Sequence, residues 1–307
     1  MQLHMPVLLE ETVSCLLNDL HGTYLDCTVG GGGHLRHLLN NLAGDARVLA
    51  IDKDRQILED RKLEIRDHRV KFIPGDFRNL KAIIAEEDVK QLNGIMLDLG
   101  VSSFQLDDAE RGFSFHEDAL LDMRMNREQE LTARGIVNSY PEAELARILF
   151  KYGEEKYARR IARSIVDARD KKDIDNTLEL VDIIKNAVPA AYRREKHPAR
   201  RSFQALRIAV NGELEALEQV LPQALEALKS GGRLCIITFH SLEDRMVKVF
   251  MQEKARVCIC PPGMPICVCN HQAELRIVTR KAIAPNESEC NVNPRARSAK
   301  LRVAEKI

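Results

Sequence analysis

The chain has 307 residues, of which 45% are apolar and 30% charged, and its 46 basic side chains are balanced by 46 acidic ones. This suits one large globular domain or two, with enough apolar material to form a core without disulfides or metals. A net charge of zero excludes a protein held to nucleic acid by bulk charge, although a local basic face stays open.

The residues Met1 to Pro6 lack the basic and apolar regions of a signal peptide. A short apolar run, Tyr24-Leu25-Asp26-Cys27, reads as a strand and is followed by a helix from about Gly33. Three more runs follow: Val48 to Ile51 ended by Asp52, Val70 to Ile73 ended by Pro74-Gly75-Asp76, and Gly94 to Leu97 ended by Asp98. Short apolar runs separated by helix-length segments predict βαβ units and a parallel sheet with helices on both faces. From about 106 to 200 this rhythm stops, and the charged sequence reads as helical, for example Pro141 to Phe150 and Glu154 to Ala168. The strand pattern returns at Arg233 to Thr238, then a helix over 242–255, and the runs Glu274 to Thr279 and Ala299 to Val303 suit antiparallel strands closing the sheet. The expectation is an α/β domain from 1–105 and 202–307, interrupted by an all-helical insertion over 106–201 that recognises substrate. No run of about 18 apolar residues occurs, so no membrane association is expected.

The sharpest local signal is Asp26-Cys27-Thr28-Val29-Gly30-Gly31-Gly32-Gly33-His34, between a strand and a helix. Side-chain-free backbone can adopt positive φ and approach a ligand closely, and a helix start offers free N–H groups to an anion. The dinucleotide spacing G-x-G-x-x-G fails: from Gly30 the third glycine would fall on Leu35, and from Gly31 on Arg36. The Gly-Lys-Ser/Thr of a phosphate loop is also absent. What remains resembles the D/E-x-x-x-G-x-G motif of class I S-adenosylmethionine-dependent methyltransferases, met by Asp26, Gly30 and Gly32. Asp52, ending the second strand, suits the hydroxyls of a ribose, and Phe77, after Asp76, suits an adenine face. The competing reading is a glycine-rich turn that only caps a helix.

Asp98 ends the fourth strand, where amino-methyltransferases carry an Asp/Asn-Pro-Pro-aromatic motif. An exocyclic amine is a poor nucleophile because its lone pair is delocalised into the ring. Acceptors holding its hydrogens would position it, and preorganised polar groups would supply much of the acceleration. Asp98 is the leading catalytic acceptor and proton carrier, or else it only orients the methionine end of the cofactor. The Pro-Pro-aromatic part is missing here.

Asp98-Leu99-Gly100-Val101-Ser102-Ser103, then Gln105-Leu106-Asp107 and Arg111-Gly112-Phe113-Ser114-Phe115, resembles the bacterial ribosomal RNA small-subunit methyltransferase H family, also called MraW. Other shared stretches are His4 to Leu8, Leu121 to Met125, Ser202 to Arg207, Thr238 to Arg245 and Asn293 to Ser298, so the resemblance runs over essentially the whole chain. It implies a Rossmann-like, mostly parallel class I fold, S-adenosylmethionine as methyl donor, and N4 of a cytidine in the decoding centre of 16S ribosomal RNA as acceptor. Carried over position by position, cofactor contacts fall on Gly32, Gly33, His34, Asp52, Phe77, Asp98 and Gln105, with His34 and Gln105 resting on the resemblance alone. A cytoplasmic protein able to form a homodimer is also implied.

Basic clusters at Arg159-Arg160-Arg163, at Arg193, Arg194, Lys196, Arg200 and Arg201, and at Arg295, Arg297, Lys300 and Arg302 are candidates for salt-sensitive phosphate contacts. The cluster at 193–201 is favoured for RNA, within the small ribosomal subunit. His240 and Ser241 end the returning strand and are candidates for lining the pocket of a base taken out of its stack. Phe113, Phe115 and Phe239 could stack on that base but suit a core as well.

The eight cysteines suit a reduced compartment. Cys15, Cys27 and Cys235 sit in apolar runs as core residues. Cys258, Cys260, Cys267 and Cys269 form C-x-C-x₆-C-x-C, which leaves zinc, reduced thiols and disulfides open, and no metal is assigned to the catalytic site. Two other functions compete: a DNA amino-methyltransferase acting on cytosine or adenine, and an S-adenosylmethionine-binding ribosome-associated protein without turnover.

Overall fold

The computed structural model describes residues 6–195, 197–261 and 268–307, with the side chain of Glu195 excepted. His4, Met5, Lys196 and Cys267 of the motifs above lie outside these residues. The described chain divides into two compact units, 1–100 with 214–307, and 101–213.

The first unit is built on one sheet. Its strands are β1 (Thr23–Asp26), β2 (Arg47–Asp52), β3 (Val70–Pro74), β4 (Leu92–Asp98), β5 (Leu228–Thr238), β6 (Leu275–Ile277) and β7 (Lys300–Lys306), in the spatial order β3-β2-β1-β4-β5-β7-β6. β1 to β5 pair in parallel; β7 runs antiparallel to β5, and β6 antiparallel to β7. The mostly parallel α/β expectation and the antiparallel closure are both realised.

Side chains alternate across a strand, and here the alternation sorts them into two cores. Tyr24, Val48, Ala50, Met96, Cys235 and Ile237 pack on one face with Leu16, Leu35 and Leu38, while Leu25, Leu49, Ile51, Ile95, Leu97 and Ile236 pack on the other with Leu217, Val220 and Leu221. Both faces are dry, which is why these strands read as unbroken apolar runs. Cys27 and Cys235 are buried in these cores, and Cys15 packs at the edge of one of them.

β5 begins five residues before the expected Arg233. Lys229-Ser230-Gly231-Gly232 carries turn residues, and Gly231 has φ +76°, yet the strand continues through a register shift opposite Leu92 and Gly94. The irregularity hides the strand from composition.

The second unit is helical, with helices Ala133–Ser139, Glu142–Gly153, Ala158–Arg169, Thr177–Ala187 and Arg200–Asn211. Its core includes Ile136, Leu145, Leu149, Ile161, Ile165, Leu180, Ile184, Phe203 and Leu206, all buried. Gly153 permits two helices to meet closely, because a Cβ there would lie 2.6 Å from the carbonyl oxygen of Arg201. The units part at 100/101 and 213/214, not at 105/106 and 201/202. A boundary after 201 would cut the helix Arg200–Asn211, which ends at Gly212 with φ +60°. The 3.6-residue apolar period is alike on both sides of Gly212, so periodicity alone could not tell which core claims each helix.

Candidate functional site

In an open α/β sheet, ligands bind at the carboxyl ends of strands where the order reverses. Here that point lies between β1 and β4, and Asp26, Asp52 and Asp98 are the last residues of β1, β2 and β4.

The chain leaves β1 in a tight loop. Cys27 N–H donates to the Met96 carbonyl at 3.0 Å and Val29 N–H to the Ile51 carbonyl at 3.1 Å, so the loop is tied to both neighbouring strands. Gly30 and Gly32 have φ +47° and +72°, a conformation open to glycine at little cost. Gly33 opens the helix Gly33–Asn41, and a Cβ there would lie 2.0 Å from Cγ of Pro6. The loop is thus clamped from outside, and its backbone faces the strand ends.

Asp52 fastens the loop. Its Oδ2 accepts from Gly30 N–H and its Oδ1 from Asp54 N–H, both at 2.8 Å, and a carboxylate has about four acceptor positions in all. Burial raises its carboxyl to about 6.

Asp26 is 1% exposed, and its Oδ1 accepts from Thr28 N–H at 3.0 Å while its Oδ2 is buried with no hydrogen-bond partner. Burial, with a contribution from the Asp52 charge, raises it to about 7. Thr28 continues the chain of contacts, its Oγ1 accepting from Asp98 N–H at 2.6 Å.

Asp98 has a buried Oδ1 without a hydrogen-bond partner, and its Oδ2 lies 3.7 Å from Nδ1 of His34. Burial first, then the charges of Asp26 and Glu243, push its carboxyl up to about 8. His34 is buried, and its Nε2 is 3.0 Å from the Val7 carbonyl oxygen, which anchors the ring.

Glu243 was not foreseen. It is 2% exposed, and its Oε2 accepts from Phe239 N–H at 2.8 Å and His240 N–H at 3.3 Å, so it pins the turn after β5. His240 caps the helix Ser241–Lys254, with Glu243 N–H donating to its Nδ1 at 3.4 Å, and Ser241 is exposed at the first helical position. In sequence Glu243 is the third helical residue after a cap, a position explained by helix capping alone; its service to the site appears only when β4 and β5 are side by side.

The site therefore holds one buried and two half-buried carboxylates with fewer donors than acceptors, in positions where their charged forms are costly. That arrangement suits a bound cation with N–H and O–H groups of its own. S-adenosylmethionine fits it: a sulfonium and an ammonium for Asp98 and Asp26, and ribose hydroxyls for Asp52.

A family model described as the MraW methylase family matches residues 1–307. The chain belongs to the MraW methylase family. It is 53% identical over 308 residues to the ribosomal RNA small subunit methyltransferase H of Heliobacterium modesticaldum, covering 99% of this chain and 98% of that one. Against the protein of the same name from Clostridium botulinum strain 657 it is 49% identical over 305 residues, covering 99% of each.

The remaining expected residues of this MraW methylase are placed as follows. Phe77 is half-buried beyond β3 and packs on the core that holds Leu49 and Ile51. Gln105 belongs to the second unit, where it is 5% exposed and its Oε1 accepts from Ser102 N–H at 3.1 Å, in a capping box on the short helix Ser103–Asp107. Arg193 donates to the Val188 carbonyl at 3.1 Å and Arg201 to the Glu154 carbonyl at 2.8 Å. Arg194 and Arg200 are exposed. In the C-terminal cluster, Lys300 and Arg302 are paired to Asp244 at 2.8 and 2.7 Å. The aromatic candidates pack inward: Phe113 is 6% exposed, Phe115 stacks on His197 with centroids 4.6 Å apart, and Phe239 lies against the first core.

Among the described residues, no helix is long and apolar enough to cross a membrane.

Proposed function

We propose that this chain transfers the methyl of S-adenosylmethionine to N4 of a cytidine in the decoding centre of 16S ribosomal RNA, acting in the cytoplasm on RNA within the small ribosomal subunit. The observation that carries the reading is Asp98: a half-buried carboxylate at the end of β4, with one buried oxygen unpartnered, raised to about 8, beside a glycine loop, the buried Asp26 and the half-buried Asp52. The name shared by the relatives supports a ribosomal RNA acceptor and not DNA.

When bound, S-adenosylmethionine supplies a methyl on a sulfonium, whose loss leaves neutral S-adenosylhomocysteine. The backbone of Gly30 to Gly33 would hold its amino-acid end, with His34 as a further contact, Asp52 its ribose hydroxyls and Phe77 its adenine. Asp98 has two tasks. Its unpartnered Oδ1 accepts an amine hydrogen of the cytosine, which draws the nitrogen lone pair out of the ring. As the N–C bond forms, the amine gives up one proton, and Asp98, which a neighbouring sulfonium would hold in its ionised form, can take it. His240 and Ser241 would border the base, and the arginines at 193–201 would hold the RNA backbone. The helical unit would serve as the RNA-recognition domain.

The test is methyl transfer from labelled donor to small subunits lacking the modification, with the product mapped by mass spectrometry. A methyl on cytosine N4 in the decoding centre is expected. A methyl on another atom or another RNA, or no turnover with donor bound, would overturn the reading.

A further inference from the structure

The segment after the helix Ser241–Lys254 gathers cysteines for which methyl transfer has no use. Cys258 and Cys260 precede the stretch outside the described residues, and Cys269 follows it. Their three sulfurs all lie within 4.8 Å of one another. Cys258 and Cys269, 11 residues apart in sequence, have sulfurs 3.8 Å apart. A disulfide would bring them to about 2.05 Å. Two sulfurs bound at about 2.3 Å to one tetrahedral ion stand about 3.8 Å apart, so the spacing is that of ligands sharing an ion.

Two further features point the same way. Ile259 N–H donates to Cys269 Sγ at 3.5 Å, and Cys260 N–H donates to Cys258 Sγ at 3.4 Å. Amide donors on sulfur favour the charged thiolate, which is the form that binds metal. Nor does apolar packing explain the gathering, because the neighbouring Val257, Ile259 and Val268 are 75%, 57% and 66% exposed.

We propose that Cys258, Cys260 and Cys269 are ligands of one zinc ion, a structural site that ties residues 258–260 to Cys269. A set of thiolates at this spacing selects a soft, tetrahedral ion. Each thiol gives up its proton as its sulfur binds, so loading releases protons and weakens as pH falls. Cys267 lies outside the described residues and is not part of the assignment.

The full chain, purified under reducing conditions without chelator, is analysed for metal by mass spectrometry. About one zinc per chain is expected, lost in Cys258→Ser/Cys269→Ser while S-adenosylhomocysteine affinity stays within twofold of the parent. Reduced, metal-stripped protein titrated with cobalt(II) should develop the thiolate-to-metal charge-transfer band of a tetrahedral site, absent from the double variant. The proposal is overturned if the protein holds no zinc and shows no such band. It is equally overturned if zinc persists in the double variant, or if differential alkylation finds Cys258 and Cys269 joined in a disulfide. None of these readouts depends on methyl transfer.

Discussion

The two units differ in whether any of their acids is left short of a partner. In the helical unit the buried charges are closed within the fold. Arg111 donates to the carbonyls of Arg124 and Met125, Arg124 grips Asp122 at 2.7 and 2.8 Å, Arg207 pairs with Glu213 at 2.7 Å, and fully buried Glu155 accepts from Tyr157 N–H and the Tyr192 hydroxyl. In the α/β unit, Asp26 and Asp98 each keep a buried oxygen without a hydrogen-bond partner. The helical unit has orphans too, Ser202 Oγ and His197 Nδ1, but neither belongs to a carboxylate. Buried polar groups are nearly always satisfied. Where a cluster of acids is left short of donors, the missing donors belong to something that is not part of the chain.

The sharpest way to break this contrast is Asp98→Asn. The substitution keeps the shape and removes both the charge and the proton acceptor. Methyl transfer should fall by about 10²–10³, the usual effect of removing one preorganised group from a reacting centre. The melting temperature at pH 8 should hold or rise, because burial already disfavours the charge. Single-turnover assays and thermal unfolding read the two effects separately. A loss in rate of less than tenfold would mean that Asp98 only lines the site.

Gly33→Ala tests the other half of the α/β site, the clamp on the loop. Its Cβ would lie 2.0 Å from the Pro6 ring, so the ring or the helix start must shift. Overpacking of this kind costs roughly 1–3 kcal/mol. The melting temperature should drop by several degrees, and S-adenosylhomocysteine should bind several-fold more weakly by calorimetry. Gly44→Ala is the control, since a Cβ there meets nothing within 4 Å. Equal behaviour of the two variants would show that the loop is not clamped.

The acids also give the α/β unit a pH signature. Asp52, Asp26 and Asp98 are raised from 3.8 to about 6, 7 and 8, so they disfavour the ligand-free fold as they ionise. A raised carboxyl stabilises below its unfolded value, and that contribution is lost as pH climbs through the folded value. Without ligand, stability from this cluster should therefore decline as pH rises from about 4, near the unfolded value, to about 8, the highest folded value. A bound cation reverses the penalty, so the thermal shift caused by S-adenosylmethionine should grow over the same interval. It should grow less for S-adenosylhomocysteine, which lacks the sulfonium charge. In Asp98→Asn the pH dependence should flatten, and an unchanged slope there would place the titration elsewhere.

What the sequence made legible follows from how local each signal is. Strands β1, β2 and β4 end in acids and are apolar on both faces, and the edge strand β3 ends in turn residues, so both their positions and their carboxyl ends could be read. The glycine loop announced itself because few other structures need four glycines together. Glu243 stayed hidden because its helix-capping position has a sufficient local explanation. The orphaned oxygens of Asp26 and Asp98 depend on three strands meeting, which no window of sequence contains. The pairing of Lys300 and Arg302 with Asp244, 56 and 58 residues away, was hidden for the same reason, and it removes half of the C-terminal basic cluster from those open to RNA.

That correction also refines the smallest expected effect, on the helical unit's arginines. Arg193 and Arg201 spend part of their guanidinium on the carbonyls of Val188 and Glu154, so replacing either would disturb the fold along with any RNA contact. Arg194 and Arg200 are exposed, and neither guanidinium is held by a described residue, so the pair isolates surface charge. Each phosphate neutralised on single-stranded RNA contributes about 0.7 to the slope of log affinity against log salt. Arg194→Ala/Arg200→Ala should therefore lower that slope by roughly 1.4, with S-adenosylhomocysteine affinity unchanged. Arg159→Ala/Arg160→Ala is the competing arm, since both residues are exposed on the helix Ala158–Arg169. If that pair lowers the slope and the first does not, the RNA face lies along Ala158–Arg169. If neither does, the helical unit's exposed charge is solvation only, and the contrast with the α/β unit is one of packing without a division of labour.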